Sequence, residues 1–191
     1  MIKQKIFDKK TTSTIIAYTL AIFFSTCLLA ISSKIKIPFY PVPMTMQTLI
    51  VLSIGIIFGP RLSTIILTTY IAEGIMGIPV FAGTPEKGIG FAYVVGPTGG
   101  YLIGFVISSF LAGKINFSNK NFTTRFALLI LAISPIYIFG LAWLGMLLGF
   151  EKPLLSWGLN PFILSEIFKL LLLTILVPQL LLFRKKISNK I

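Results

Sequence analysis

The chain has 191 residues, of which 55% are hydrophobic, and its mean hydropathy is +0.94. This composition excludes an ordinary soluble domain and indicates a membrane protein with several spans. The formal net charge of +12 would suit a nucleic-acid-binding protein, but the basic residues cluster at the chain ends and in alternate loops, so we expect no nucleic-acid partner. Because the connections between apolar segments are short, we predict a single integral membrane domain over residues 1–191.

Two residue types that often carry chemistry are scarce in this sequence. Histidine is absent, which removes the commonest metal ligand and the commonest general base. The single cysteine, Cys27, lies inside an apolar segment and permits no intrachain disulfide. We therefore expect no metal site, no cofactor and no catalytic residues.

Six apolar segments predict an all-α membrane protein, a bundle of six transmembrane helices. In chain order these segments cover residues 14–33, 44–58, 62–78, 97–115, 126–150 and 161–183. The first follows basic residues and could imitate a signal peptide. Its apolar run over residues 15–31 is long for one, so we interpret it as the first membrane helix. The second and third are short and are joined only by Gly59, Pro60 and Arg61.

The distribution of lysine and arginine predicts how the helices are oriented. With the N-terminus placed in the cytoplasm, twelve of the 17 basic residues lie inside, four lie outside and Lys169 lies within the membrane. An even number of spans returns the C-terminus to the cytoplasm, where Arg184, Lys185 and Lys186 agree with this orientation. We expect a multi-pass protein of the cell membrane, surrounded by membrane lipid, with both termini cytoplasmic.

The connections that face outside in this orientation are rich in proline, glycine and aromatic residues. They cover residues 34–43, 79–96 and 151–160, whereas the cytoplasmic turns are plainer. Special backbone conformations therefore gather on the outer face, which predicts a ligand site that opens outward.

Five residues near these connections are candidates for contact with that ligand. Phe81 and Tyr93 offer flat apolar surface, and Gly99 and Gly100 permit close approach to the backbone. Gln47 can hydrogen-bond at the start of the second helix. A well-packed re-entrant loop is the alternative interpretation of the glycine-rich stretch. A phosphate-binding loop is disfavoured, since GPTGGY lacks the Walker spacing and its lysine.

Glu166 and Lys169 are charged residues inside the last apolar segment. A charge at membrane depth is costly, and two charges at i and i+3 share one helix face and can pair. Lys169 lies roughly 12 Å along the helix from Pro161, which places the pair in the outer half of the bilayer. The pair either contacts a ligand or ties helices together as a structural ion pair.

Three further residues have two open interpretations each. Glu73, near the outer end of the third segment, is either a second wall of the pocket or an interfacial glutamate. Ala17 and Ala21 form a small-xxx-small pair on the first helix, where small residues let another helix approach closely. That pair indicates either docking of a partner or packing within the chain.

Three motifs make the chain resemble the BioY family of biotin transporters. They are PVPMTMQT at 41–48, PVFAGTPEKGIGFAYVVGPTGGY at 79–101, and the PFxxxExxK pattern that begins at Pro161. The resemblance covers essentially the whole chain from the first helix to about Lys169. The TPEKGIG segment, residues 84–90, resembles one branch of the family.

The resemblance implies that the chain is the substrate-binding S component of an energy-coupling factor (ECF) transporter, with high-affinity biotin binding near the outer face. It implies that Glu166 and Lys169 contact the ligand, although the family more usually has Asp where this chain has Glu166. It also implies that Ala17 and Ala21 help to dock the chain on a transmembrane T component. Since this chain has no Walker motif, the family's two ATPase subunits would supply ATP hydrolysis.

Two other functions compete with biotin transport. One is an S component for another vitamin. The other belongs to a different class, a small membrane enzyme that acts on lipid. The absence of histidine, and of paired carboxylates within one segment, stands against the enzyme. We therefore expect a transport protein and not an enzyme.

Overall fold

The computed structural model describes residues 2–38, 40–83 and 90–188; for residues 2–11, 13 and 188 it describes the backbone only. Most of the predicted TPEKGIG segment, residues 84–89, therefore lies outside the described part. The helices are α1 (Ile2–Lys34), α2 (Gln47–Ile75), α3 (Phe91–Val95), α4 (Gly99–Lys114), α5 (Phe122–Leu148), α6 (Leu154–Gly158) and α7 (Asn160–Ser188). Two short strands, β1 (Lys36–Ile37) and β2 (Met44–Thr45), pair antiparallel between α1 and α2.

Helix α2 is folded back on itself as a hairpin. Gly59 interrupts it with φ of 74°, a left-handed conformation that glycine adopts without steric strain, and Pro60 begins the second arm. The Gln47 side-chain amide donates a hydrogen bond of 2.7 Å to the Tyr70 hydroxyl. In a straight helix these residues would be about 34 Å apart. The two arms are therefore antiparallel.

This hairpin confirms the predicted all-α membrane fold of six helical segments. The two arms of α2 correspond to the second and third predicted segments, and α1, α4, α5 and α7 supply the others. Within the described residues, four helices are long and apolar enough to cross a membrane, and α4 is a shorter apolar helix. The four are Thr14–Lys34, Gln47–Ile75, Phe122–Leu148 and Leu154–Ile187. The second predicted segment begins too early, because Met44 and Thr45 pair in β2.

The outer surface of the bundle is apolar, and so is its interior. Buried side chains such as Leu52, Leu67 and Leu173 form the core, while Phe24 and Phe168 on the outer helices are exposed. An exposed apolar surface suits a lipid environment, in which the backbone polar groups are satisfied within the helices.

Helices α2 and α4 approach each other closely because small residues line their interface. A β-carbon on Gly55 would clash with the Ser109 carbonyl oxygen and would lie 2.8 Å from the Ala112 methyl carbon. A β-carbon on Gly113 would lie 2.5 Å from the Gly59 carbonyl carbon. Only glycine permits this backbone contact, which holds the hairpin turn against the end of α4.

The first part of α1 and the last part of α7 lie at the same end of the bundle. Ser33, at the end of α1, bonds to the loop after α2, so α1 begins at the opposite end. Near its C-terminus, α7 places Arg184 against the hairpin turn. The loops between α1 and α2, between α2 and α4 and between α5 and α7 consequently share the other end of the bundle.

We expect Gly55→Val to destabilise the protein, because the added carbons would meet the backbone and Ala112 of α4. The free energy of unfolding should fall by about 2 kcal/mol, as for other overpacked cores. A lower thermal unfolding midpoint in detergent would reveal it. Ala127→Val, at an exposed position of α5, is the control. Equal stability of the two variants would contradict the close contact between α2 and α4.

Candidate ligand-binding site

A cavity of about 470 Å³ lies at the loop end of the bundle. This volume includes space that is open to the surroundings. Its walls come from the β2 region, the start of α2, the loop after α2, α3, α4, α5 and α7. The described lining residues are Val42, Pro43, Thr45, Gln47, Thr48, Ala82, Tyr93, Thr98, Tyr101, Leu102, Phe105, Ile136, Tyr137, Phe162 and Glu166.

A buried cluster of charged and polar groups joins α7 to the start of α2. The Lys169 ammonium donates to Glu166 Oε1 at 2.6 Å, to the Thr45 carbonyl oxygen at 2.8 Å and to Thr48 Oγ1 at 3.0 Å. The Thr48 hydroxyl in turn donates to the Glu166 carboxylate, where it lies 2.9 Å from Oε2 and 3.1 Å from Oε1. Glu166 is 7% exposed and Lys169 5% exposed.

The two charged groups have different positions relative to the cavity. All three donors of the Lys169 ammonium have acceptors within the protein, and Lys169 is not among the described lining residues. Glu166 lines the cavity, and the Tyr137 hydroxyl interacts with it from α5. The carboxylate has more acceptor sites than these donors fill. Glu166 therefore faces the cavity, and Lys169 contacts its carboxylate from outside the described lining.

A second polar chain begins at Gln47. Its amide nitrogen donates to the Tyr70 hydroxyl, which donates to the Val80 carbonyl oxygen at 2.9 Å. Tyr70 is fully buried, so these bonds satisfy a hydroxyl that would otherwise be unpaired in an apolar core. The chain fixes Gln47, which lines the cavity, and ties the loop after α2 to both arms of the hairpin.

Aromatic rings form the apolar walls in two rows. In one row Phe81 stacks on Tyr93 at 4.8 Å between ring centroids and meets Tyr70 edge-on at 5.5 Å. Tyr93 lines the cavity and Phe81 lies behind it. Burial raises the pKa of the Tyr93 phenol further above its ordinary value.

The second row consists of Tyr101, Tyr137 and Phe162, with centroid distances of 6.1 and 6.2 Å. The Tyr101 hydroxyl donates to the Gly158 carbonyl oxygen at 2.8 Å, which anchors α4 to the turn before α7. All three rings line the cavity. Flat, stiff walls of this kind suit a ligand with an apolar ring system.

The carbonyl oxygens of the loop after α2 are held by the end of α1. Ser33 Oγ donates to Val80 O at 2.8 Å, and the Lys34 ammonium donates to Phe81 O at 2.6 Å. The Lys36 ammonium, in β1, donates to the Ala82 carbonyl oxygen. Three successive backbone acceptors are thus occupied, which fixes residues 80–82 beside the cavity that Ala82 lines.

Several predicted residues lie beside the cavity without being among its described lining residues. Gly99 and Gly100 are buried in α4, where an added β-carbon would clash with the Val94 or the Phe139 carbonyl oxygen. Their close approach is to the protein's own backbone. Glu73 is partly buried, one turn beyond Tyr70. Direct ligand contact by Gly99, Gly100, Phe81, Glu73 and Lys169 stays a prediction.

The structure adds lining residues that were not among the predicted contacts. Tyr137 and Phe162 are the most informative, because their rings are neighbours in the cavity wall and the Tyr137 hydroxyl interacts with Glu166. A tyrosine inside the predicted fifth segment was the available signal, since its hydroxyl needs a polar partner in an apolar environment. Thr48, directly after Gln47, can hydrogen-bond at the start of the second helix, and its hydroxyl lies between Glu166 and Lys169.

Ala17 and Ala21 continue a stripe of α1 that is packed in its C-terminal half. Ser25 and Leu29, at the following i+4 positions, are buried, whereas Ala17 and Ala21 are only half-buried. The helix surface around the two alanines is therefore incompletely covered. Docking of a partner there stays a prediction.

Known proteins provide an independent comparison. The sequence matches the BioY family over residues 4–186. It is 37% identical over 142 residues to a protein of Pyrococcus horikoshii named "Probable biotin transporter BioY", covering 74% of this chain and 82% of that protein. It is 32% identical over 155 residues to "Biotin transporter BioY" of Thermotoga maritima, covering 81% and 90% of the two chains.

A solved structure gives the same result at the level of the fold. It is the S-component for biotin from an ECF-type ABC transporter, and the two folds superpose with a TM-score of 0.71 at 27% sequence identity. The similarity covers 88% of this chain and 92% of the other. The family match over nearly the whole sequence, together with these relatives, shows that the chain belongs to the BioY family.

Proposed function

We propose that this protein binds biotin in the cavity at the loop end and serves as the S component of an ECF-type transporter. The observation that carries the proposal is the carboxylate of Glu166, which lines an aromatic-walled cavity in a chain of the BioY family. The relatives named above are transporters of biotin, which favours this ligand over another vitamin and over a lipid-modifying enzyme.

The chemistry of the cavity matches the chemistry of biotin. Biotin has a fused apolar ring system, a ureido group with two N–H donors and a carbonyl, and a carboxylate. Glu166 can accept from the ureido N–H groups, and the rings of Tyr93, Tyr137 and Phe162 can contact the fused ring. Gln47 and Thr98 are placed to bond to further polar atoms of the ligand.

In this proposal Lys169 acts on the ligand through Glu166. The ammonium at 2.6 Å and the Thr48 hydroxyl fix the direction of the carboxylate oxygens. An acceptor that is oriented before the ligand arrives loses less conformational freedom on binding, which favours affinity.

Transport requires more than this cavity. The whole chain would form one integral domain of the cytoplasmic membrane, with the cavity opening outward and the chain ends in the cytoplasm. A transmembrane T component would dock on the half-covered stripe of α1 that contains Ala17 and Ala21, and two ATPase subunits would drive release of biotin inward. The arrangement of basic residues along the sequence supports this orientation.

Biotin should bind to the purified protein in detergent, and calorimetric titration would measure it. We expect Glu166→Gln to weaken binding by about tenfold or more, because a charged acceptor is replaced by a neutral one. Lys152→Met, which removes an exposed charge from the same end of the bundle, should bind like the wild type. A folded wild-type protein that does not bind biotin would falsify the ligand assignment.

The pair of Glu166 and Lys169 can be tested separately from the ligand. Lys169→Met alone leaves a buried carboxylate without its cation and should destabilise the ligand-free protein by about 3–5 kcal/mol. Adding Glu166→Gln should restore most of that stability, measured as thermal unfolding in detergent. If the double variant also binds biotin as tightly as the wild type, the pair is purely structural and its role in binding is wrong.

Uptake should depend on partner proteins. Cells that produce this chain alone, with no T component or ATPase subunits, should accumulate no radiolabelled biotin, and adding those subunits should restore accumulation. Ala17→Leu with Ala21→Leu should reduce that uptake while leaving biotin binding by the purified protein intact. Full uptake by the chain alone would contradict the proposed requirement for the T component and the ATPase subunits.

A further inference from the structure

A second groove lies at the end of the bundle opposite the cavity. It is formed by α1, the hairpin turn of α2 and the C-terminal part of α7, and it encloses about 700 Å³ of space open to the surroundings. Its described lining residues are Tyr18, Ile57, Phe58, Arg61, Leu62, Arg184 and Ile187. The first arm of α2 separates Gln47 from Gly59 by about 18 Å, so this groove is distinct from the cavity.

The charged side chains among the described lining residues of the groove are all positive. Arg61 and Arg184 contribute two guanidinium groups, and none of its described lining residues carries a carboxylate. An adjoining groove shares Arg184 and adds Lys114 and Lys185. In the described part of the chain the ion pair between side chains is that of Glu166 with Lys169, at the other end of the bundle.

Arg184 is fixed by the backbone that it contacts. Its Nη1 donates to Ile56 O at 3.3 Å and to Gly113 O at 3.4 Å, the carbonyl groups beside the hairpin turn. A β-carbon on Gly59 would lie 3.1 Å from Nη2, so glycine leaves room for the guanidinium. These bonds orient the guanidinium and use only part of its five N–H donors. Arg61, on the second arm, is exposed.

The remaining walls of the groove are apolar. Ile57, Phe58, Leu62 and Ile187 offer hydrocarbon surface, and Tyr18 offers a ring with a hydroxyl. Guanidinium groups match the geometry of phosphate oxygens, and basic pockets between transmembrane helices bind anionic headgroups. A free phosphate would use the arginines alone, whereas a phospholipid would also use the apolar walls.

We propose that this groove binds the phosphate headgroup of an anionic phospholipid between Arg61 and Arg184, with the upper part of an acyl chain against the apolar walls. The lipid would join α1, the turn of α2 and the end of α7. This inference is independent of the ligand in the cavity and of the partners of the transporter.

Native mass spectrometry of the purified protein with added phosphatidylglycerol tests the proposal. We expect the wild type to retain this lipid and Arg61→Gln to bind it about fivefold more weakly, the effect of one cation near a headgroup. Lys120→Gln removes the same charge from the same end of the bundle, outside the groove, and should bind like the wild type. Because the Arg61 side chain is exposed, its replacement should leave folding intact.

Further measurements distinguish a phospholipid headgroup from free inorganic phosphate as the occupant of the groove. Phosphatidylcholine should bind weakly because its headgroup is neutral overall, and inorganic phosphate should not displace phosphatidylglycerol. Arg61→Lys, which keeps the charge and loses the planar fork, should bind less than the wild type and more than Arg61→Gln. Equal retention of phosphatidylglycerol by Arg61→Gln and Lys120→Gln would overturn the site, and displacement by inorganic phosphate would overturn the lipid as its occupant.

Discussion

The contact between Glu166, Lys169 and Thr48 determines how the last helix meets the first hairpin. It joins residues more than one hundred positions apart, because Thr48 donates to the Glu166 carboxylate and accepts from the Lys169 ammonium in a buried region. Such an environment strengthens each bond and makes any unpaired member costly. The register of α7 against α2 is consequently fixed, and with it the wall that Phe162 gives to the cavity.

The rest of the cavity depends on backbone contacts made elsewhere. Gly55 and Gly113 let α2 and α4 touch, and Gly100 lets α4 approach α5, where the rings of Tyr101 and Tyr137 meet edge-on at 6.1 Å between centroids. Glycines, which have no side chain, therefore let the helices pack closely at their interfaces and leave room for the large side chains that line the cavity. Gly99 and Gly100, from the glycine-rich sequence that suggested ligand contact, take part in this packing.

The helical segments were predictable from the sequence alone, because long apolar runs separated by a Gly59–Pro60 break are typical of consecutive membrane helices. The pairing of Glu166 with Lys169 was also predictable, since their spacing fixes a shared helix face. The contact between Lys169 and Thr45 was not, because it depends on the register between two distant elements. Tyr137 and Phe162 were missed since a helix that is apolar on all sides gives no periodic signal for its inner face.

The loop beside the cavity is held by Ser33, Lys34 and Lys36 through its carbonyl oxygens at positions 80, 81 and 82. Every amino acid supplies the same carbonyl group, so this attachment does not depend on which side chains the loop carries. Changes of side chain at Ala82 could alter the size or polarity of the cavity while the loop keeps its place. Backbone bonds thus set the position of this part of the loop, whereas its side chains set the chemistry that the cavity meets. Ligand preference can therefore change by substitution while the backbone of the site stays in place.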